Sequence, residues 1–150
     1  MLNRYAIVVA ALLALSAAAG CDRNDETYVT INGRRWDVEL ATTPENRFLG
    51  MSGRQDVPAD TGMLFVFRDS QPREFVMRGC LVPLDIAFID EHLRIVAIHT
   101  MAVAEDPTKL RKYASIKPAM YALEVAAGSL GQARVNVGDA VTLSPAITRR

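Results

Sequence analysis

Hydrophobic and polar residues alternate with a period of two over much of the chain, in short runs separated by turn residues. Thr27 to Ile31 alternates and is rich in β-branched residues. Arg34 to Ala41 alternates again, with Trp36, Val38 and Leu40 on one face. Asn32-Gly33 stands between the two runs, and that pair suits the left-handed positions of a tight turn, so the segment predicts a β-hairpin. Thr43-Pro44-Glu45 then predicts a helix start. Thr43 is suited to cap it, Pro44 fits the first turn, and Glu45 faces the positive end of the helix dipole. Gly50 and Ser52-Gly53 keep that helix short.

Gly62 to Phe67 is a continuous apolar run and predicts a strand buried on both faces. A polar loop over Arg68 to Arg73 and a short strand over Glu74 to Arg78 follow. Pro83 introduces a strand from Leu84 to Ile89. After a turn at Asp90-Glu-His92, Leu93 to Val103 reads as the return strand. Glu105 to Ser115 is a charged excursion without a period. Met120 to Val125 is a further strand, Ser129 to Arg134 one helical turn, and Ala140 to Leu143 a closing strand after the turn at Val135 to Asp139. Ser144 to Arg150 reads as a frayed tail. About seven short strands with one or two short helices predict a mainly β (α+β) chain folded as a compact, barrel-like single domain.

The first residues follow another grammar. Met1 to Arg4 is basic, Ala6 to Leu15 is unbroken apolar, Ser16 to Gly20 is small, and Cys21 follows. This is the pattern of a secretory signal peptide. Its end resembles the bacterial lipobox, in which the cysteine becomes a lipid-bearing N-terminus, with Ala18 where that motif usually has Leu. The apolar run is short of the roughly 20 residues of a membrane-spanning helix. The expected organisation is a signal peptide over 1–20, a solvated tether over 21–26, the domain over 27–143 and the tail over 144–150. The expected location is the cell envelope, with lipid on Cys21 joining the protein to a membrane. Asp22 directly after the cysteine resembles the residue that keeps enterobacterial lipoproteins in the inner membrane, and that resemblance implies its periplasmic face.

Charge and cysteine usage narrow the classes. The chain has 17 basic and 17 acidic residues. Loss of Arg4 with the signal leaves 16 against 17, a balance that argues against nucleic acid as a partner. Cys80 is the only cysteine besides Cys21. With Cys21 acylated no internal disulfide can form, and the core alone must hold the domain.

Several ordered motifs carry a family resemblance. They are Glu45-Asn-Arg-Phe-Leu-Gly-Met51, Gly62-Met-Leu-Phe-Val-Phe67, Phe75-Val-Met-Arg78 leading to Pro83-Leu-Asp-Ile-Ala-Phe-Ile-Asp90, Pro118-Ala-Met-Tyr-Ala-Leu-Glu-Val-Ala-Ala-Gly128, and Gly138-Asp139. In this order they resemble the DUF192 family of small bacterial and archaeal proteins. The resemblance runs from about Val29 to Leu143 and implies a compact, β-rich, often exported domain without an established activity. One motif departs from the pattern. Where the family usually reads Phe-Trp-Met-Lys-Asn-Thr, this chain has Phe75-Val76-Met77-Arg78-Gly79-Cys80.

Candidate chemistry centres on that region. Arg78 and Asp85 flank the Gly79 to Leu84 connection, and Asp85 stands in an otherwise apolar strand, where a carboxylate needs a partner. They read either as a structural ion pair or as the polar rim of a ligand pocket, with Met77, Cys80 and Glu124 nearby. Glu124 shares a strand face with Ala122 and Ala126, whose small side chains leave room for a pocket, a packed helix or solvent. Asp85 and Glu124 together would suit acid–base work. Cys80 is either an inert packed thiol or one activated beside Arg78. Met51, Met63, Met77, Met101, Met120, His92, His99 and Cys80 are soft ligands suited to Cu(I), but their spacing repeats nowhere, and no metal or other cofactor is expected. The favoured class is a non-catalytic module binding a small ligand or an envelope protein through Met77, Arg78, Cys80, Asp85 and Glu124. A small envelope enzyme using Asp85 and Glu124 is the alternative, and a copper-handling protein the third.

Overall fold

The computed structural model describes residues 26–148. Strands β1 (Tyr28–Ile31) and β2 (Arg34–Ala41) form the expected hairpin. Asn32 and Gly33 both take positive φ, +50° and +76°, as a two-residue hairpin turn requires. Helix α1 (Pro44–Leu49) begins where the sequence places it, with the Thr43 hydroxyl accepting from the Asn46 amide at 3.2 Å. The helix carries the chain over to β3 (Thr61–Gln71), which lies parallel to β2.

The remaining strands of the main sheet are β5 (Leu84–Ile89), β6 (Ile95–Met101), β8 (Ala119–Ala126) and β9 (Val141–Leu143). Their order is β6-β5-β8-β3-β2-β1-β9. The two edges approach each other. Arg94 bridges Ala140, the Gly138 amide donates to the Ile95 carbonyl at 2.8 Å, and the Val141 amide donates to the Leu93 carbonyl at 2.9 Å. The sheet is thus a curled half-barrel in a mainly β single domain.

Curling gives the sheet two unlike faces, and alternate side chains go to each. One core holds Val29, Ile31, Trp36, Leu64, Ala87, Ile89, Leu123 and Val125, closed by Leu130 of α2 (Ser129–Gln132). The other holds Met63, Phe65, Ile86, Phe88 and Ala122, covered by Met51 after α1, Met77, and Tyr113. Tyr113 belongs to a small second sheet, in which β4 (Glu74–Phe75) pairs with β7 (Tyr113–Ala114).

Four expectations change. The polar stretch from Arg68 to Gln71 is strand, because after a register shift Gln71 still pairs with Ala119, and backbone pairing is indifferent to the polarity of the side chains it carries. The strand expected over Glu74 to Arg78 contracts to β4. Its partner comes from the charged excursion, whose Tyr113 is buried. The described part of the tail, Ser144 to Thr148, is packed: α3 (Pro145–Thr148) buries Ile147, and the Ser144 hydroxyl accepts from the Tyr28 amide at 3.2 Å. The described residues therefore hold nine strands and three helices, more than the sequence pattern announces, because two-residue strands leave no period. The expected signal peptide, Cys21 and most of the expected tether lie outside the described residues. Among the described residues no helix is long and apolar enough to cross a membrane.

Candidate functional site

The residue after α1 sets the site. Gly50 (φ +50°) turns the chain, and the segment through Gly53 docks on the connection after β4. The Ser52 hydroxyl donates to the Arg78 carbonyl at 2.6 Å, and the Gly53 amide donates to the Gly79 carbonyl at 2.8 Å. Gly79 has φ +63°, and a β-carbon there would stand 3.4 Å from that of Ser52. Asn and Gly are the residues that adopt this conformation most readily. Gly79 therefore suits the turn and leaves it without a side chain.

Between these docked segments and the outer face of β3 and β8 lies a cleft of about 550 Å³, within the range of small-molecule sites. Its aromatic wall is Phe65, Phe67 and Phe75, with Phe75 edge-on to Phe65 at 4.8 Å and to Phe67 at 6.4 Å. Phe48 of α1 adds an exposed ring at the mouth. Three guanidinium groups line the cleft. Arg47 lies 5.3 Å and Arg73 4.0 Å from the Phe67 ring centre, and Arg78 lies 4.5 Å from that of Phe48, spacings suited to cation–π attraction.

Glu124 is the buried carboxyl of this cleft, 5 % exposed. In the register of the sheet it stands between Met63 of β3 and Ile86 of β5, both buried. It makes no hydrogen bond to any described residue. Burial among these apolar neighbours pushes its pKa up to about 8, and the positive field of Arg54 offsets only part of that rise. Arg54 is itself engaged, donating to both oxygens of Glu39 at 2.7 Å. That bond holds the Glu39 pKa below its usual range. Burial, reinforced by the Glu124 charge, pushes the Cys80 thiol up to about 11. Cys80 therefore stays a thiol near neutrality, and the thiolate is the nucleophilic form.

The structure brings Arg78, Cys80 and Glu124 together in the cleft. It does not bring Asp85 there. Asp85 and Val125 are register partners, as are Ile86 and Glu124. Directly opposed residues share a face and successive residues alternate. The two carboxyls therefore lie on opposite faces of the sheet, and the expected acid–base pair does not exist. Asp85, 2 % exposed, accepts from the Thr100 hydroxyl at 2.8 Å and from the Leu130 amide of α2 at 3.1 Å. These bonds satisfy it without Arg78, so the expected Arg78–Asp85 pair is absent too. Met77 is buried in the outer core and does not line the cleft.

Met51, Met63, Met77 and Met101 are likewise packed in that core, which accounts for them as gap-filling side chains. Among the described residues no three His, Cys, Asp or Glu side chains converge as metal ligands would. His99 ties β6 to β7, its Nε2 2.8 Å from the Ala114 carbonyl oxygen and its ring packed between Phe88 and Tyr113. The sequence reading overlooked Arg47, Arg54, Arg73 and the aromatic wall. Arg47 and Phe75 lie in the quoted motifs, but nothing in the one-dimensional pattern joins α1 to β4.

The sequence matches the DUF192 family, described as an "Uncharacterized ACR", over residues 27–143. Among solved structures, one from Sinorhizobium meliloti 1021 carries the provisional description of a transcription regulator. It is 31% identical with a TM-score of 0.72, over 80% of this chain and 95% of that one. A protein of unknown function from Novosphingobium aromaticivorans DSM 12444 is 26% identical with a TM-score of 0.69, over 77% of this chain and 81% of that one. No curated protein matches the sequence.

Proposed function

The chain belongs to the DUF192 family, and we propose that this member is a non-catalytic domain of the cell envelope that binds a small ligand in the cleft over β3 and β8. The observation that carries the reading is Glu124: a carboxyl 5 % exposed, lining an open cleft, with no hydrogen-bond partner among the described residues. Burial strips this carboxyl of most of its water while its oxygens still reach the cleft, and a polar group short of partners is unfavourable. A ligand that supplies the missing partner recovers that energy as affinity.

A lipid on Cys21 would hold the domain at the membrane surface. Six tether residues reach at most about 20 Å when fully extended. The ligand would then be met close to the bilayer.

Binding without turnover is favoured because the other carboxyl lining the cleft, Glu74, is exposed and paired with Lys112, and Cys80 is a protonated thiol. A second reading gives Glu124 a proton-transfer role, since a pKa of about 8 lies in the range general acids and bases need near neutrality. The two readings differ in the fate of the bound compound, which binding alone leaves unchanged.

The test is native mass spectrometry of the protein purified from its own cells, beside a Val76→Trp variant. Val76 lines the cleft, and the DUF192 pattern has Trp at this position, so the larger side chain fills space that the family pattern accommodates. Wild type is expected to carry a compound of discrete mass that the variant loses. Empty wild-type protein, or equal occupancy in both, would overturn the proposal.

A further inference from the structure

The guanidinium groups of the cleft are not equivalent. Arg47 donates to the carbonyls of Thr42 at 2.7 Å and Val66 at 3.0 Å. Arg73 donates to Asp69 and to the Ala119 carbonyl. Both are braces for the backbone. The Arg78 guanidinium donates to no described residue and rests only on the exposed ring of Phe48. The cleft therefore holds a guanidinium and a carboxyl with unmet hydrogen-bonding capacity, Arg78 and Glu124. They do not pair with each other, and the aromatic wall of Phe65 and Phe75 lines the same cleft.

From this arrangement we infer that the ligand is a small bipolar molecule: a protonated amine that pairs with Glu124, an anionic group that takes the donors of Arg78, and an apolar body against Phe65 and Phe75. The inference rests on the binding role proposed above and names its ligand class. A purely anionic ligand would take Arg78 but could meet Glu124 only in its protonated form, through a hydrogen bond without charge pairing. A purely cationic one would leave the donors of Arg78 unused and face the added charge of Arg47, which no described carboxylate pairs. A bipolar ligand meets both ends, and charge pairing gains strength where water is excluded. Aromatic faces also favour an ammonium group over bulk water.

The titration of Glu124 adds a signature. In the unliganded cleft its pKa of about 8 leaves it mostly protonated at pH 7. Pairing with an ammonium group requires the carboxylate, so binding at pH 7 should release a proton. The charged or titratable groups around it are Arg54, paired with Glu39, and the Cys80 thiol at about 11, with Arg47, Arg73, Arg78 and the Lys112-paired Glu74 also lining or bordering the cleft.

The probes are straight-chain ω-amino carboxylates of graded length, from γ-aminobutyrate to ω-aminooctanoate, each beside the alkylamine and the carboxylate of equal length. Binding is measured by calorimetry at pH 7 in two buffers of different ionisation enthalpy, which reads proton release directly. One length is expected to bind at least roughly tenfold tighter than its matched amine or carboxylate, with a proton released. Glu124→Gln should reduce that affinity to the level of the carboxylate and abolish the proton release. Arg78→Gln should reduce it to the level of the amine. Unchanged carboxylate binding by Glu124→Gln serves as the control that the cleft is intact. If no amino carboxylate outperforms its matched controls, or if Glu124→Gln binds it as wild type does, the ligand class is wrong. The cleft proposal still stands in that case, provided Val76→Trp strips a compound that wild type carries. If no probe binds and nothing copurifies, both fall.

Discussion

Replacing Glu124 by Gln should make the protein more stable, and increasingly so as the pH rises. Glu124 is 5 % exposed between Met63 and Ile86, so solvent screening does little to relieve its charge. Its pKa rises from an ordinary 4.5 to about 8, because burial penalises the charged form and Arg54 only partly compensates. The unfolded chain releases this proton near 4.5, whereas the folded chain keeps it to about 8. Between those values the folded state binds more protons, and stability falls as the pH rises. The loss is absent below about pH 4.5 and complete above about pH 8. At roughly 1.4 kcal/mol per pH unit the full span is about 5 kcal/mol, of which about 3–4 kcal/mol falls between pH 5 and pH 8. A neutral amide of nearly the same shape does not titrate. The measurement is thermal unfolding of wild type and Glu124→Gln in parallel from pH 5 to pH 9, taking the difference so that every other titrating group cancels. The variant's advantage in melting temperature should grow by roughly 10 °C over that range. A difference that stays flat with pH would show that Glu124 ionises normally in the folded chain. The desolvated carboxyl on which the cleft reading depends would then not exist.

Asp85→Ala should lower stability by about 2–4 kcal/mol, because it leaves the Thr100 hydroxyl and the buried Leu130 amide without their acceptor. It should leave ligand retention per folded molecule unchanged; loss of ligand with little loss of stability would return Asp85 to the site. Phe65→Ala should cost about 3–5 kcal/mol in denaturant unfolding, since the ring is buried against Phe75 and closes on Gly50; a cost below about 1 kcal/mol would show the outer core to be peripheral. Cys21→Ser should release the protein from membrane fractions or trap it unprocessed, because lipid anchoring needs the thiol; identical fractionation and identical mass of the two forms would remove the lipoprotein proposal.

Local rules made much of the framework legible in the residue order. Asn32-Gly33 set a hairpin turn because few residues take positive φ twice in succession. Thr43-Pro44 set a helix start because both residues suit a first turn, and Pro83 with the apolar run after it set β5 to the residue. The same alternation showed that Glu124 and Ala122 share a face, and that Asp85 shares one with Ala87 and Ile89. What alternation leaves open is which face of one strand meets which face of the next. That was decided by the antiparallel register of β5 and β8, which sets Asp85 opposite Val125 and Ile86 opposite Glu124 and so puts the two carboxyls on opposite sides of the sheet. Strand β3 runs on through polar Arg68 to Gln71, and β4 finds β7 across a long excursion, for a related reason: pairing is made by backbone groups that every residue carries. The cleft itself exists only in three dimensions. Its walls come from α1, the turn after it, β4 and β8, segments up to about eighty residues apart, and a carboxyl acquires a pKa near 8 from what surrounds it in space, a quantity on which the order of residues along the chain is silent.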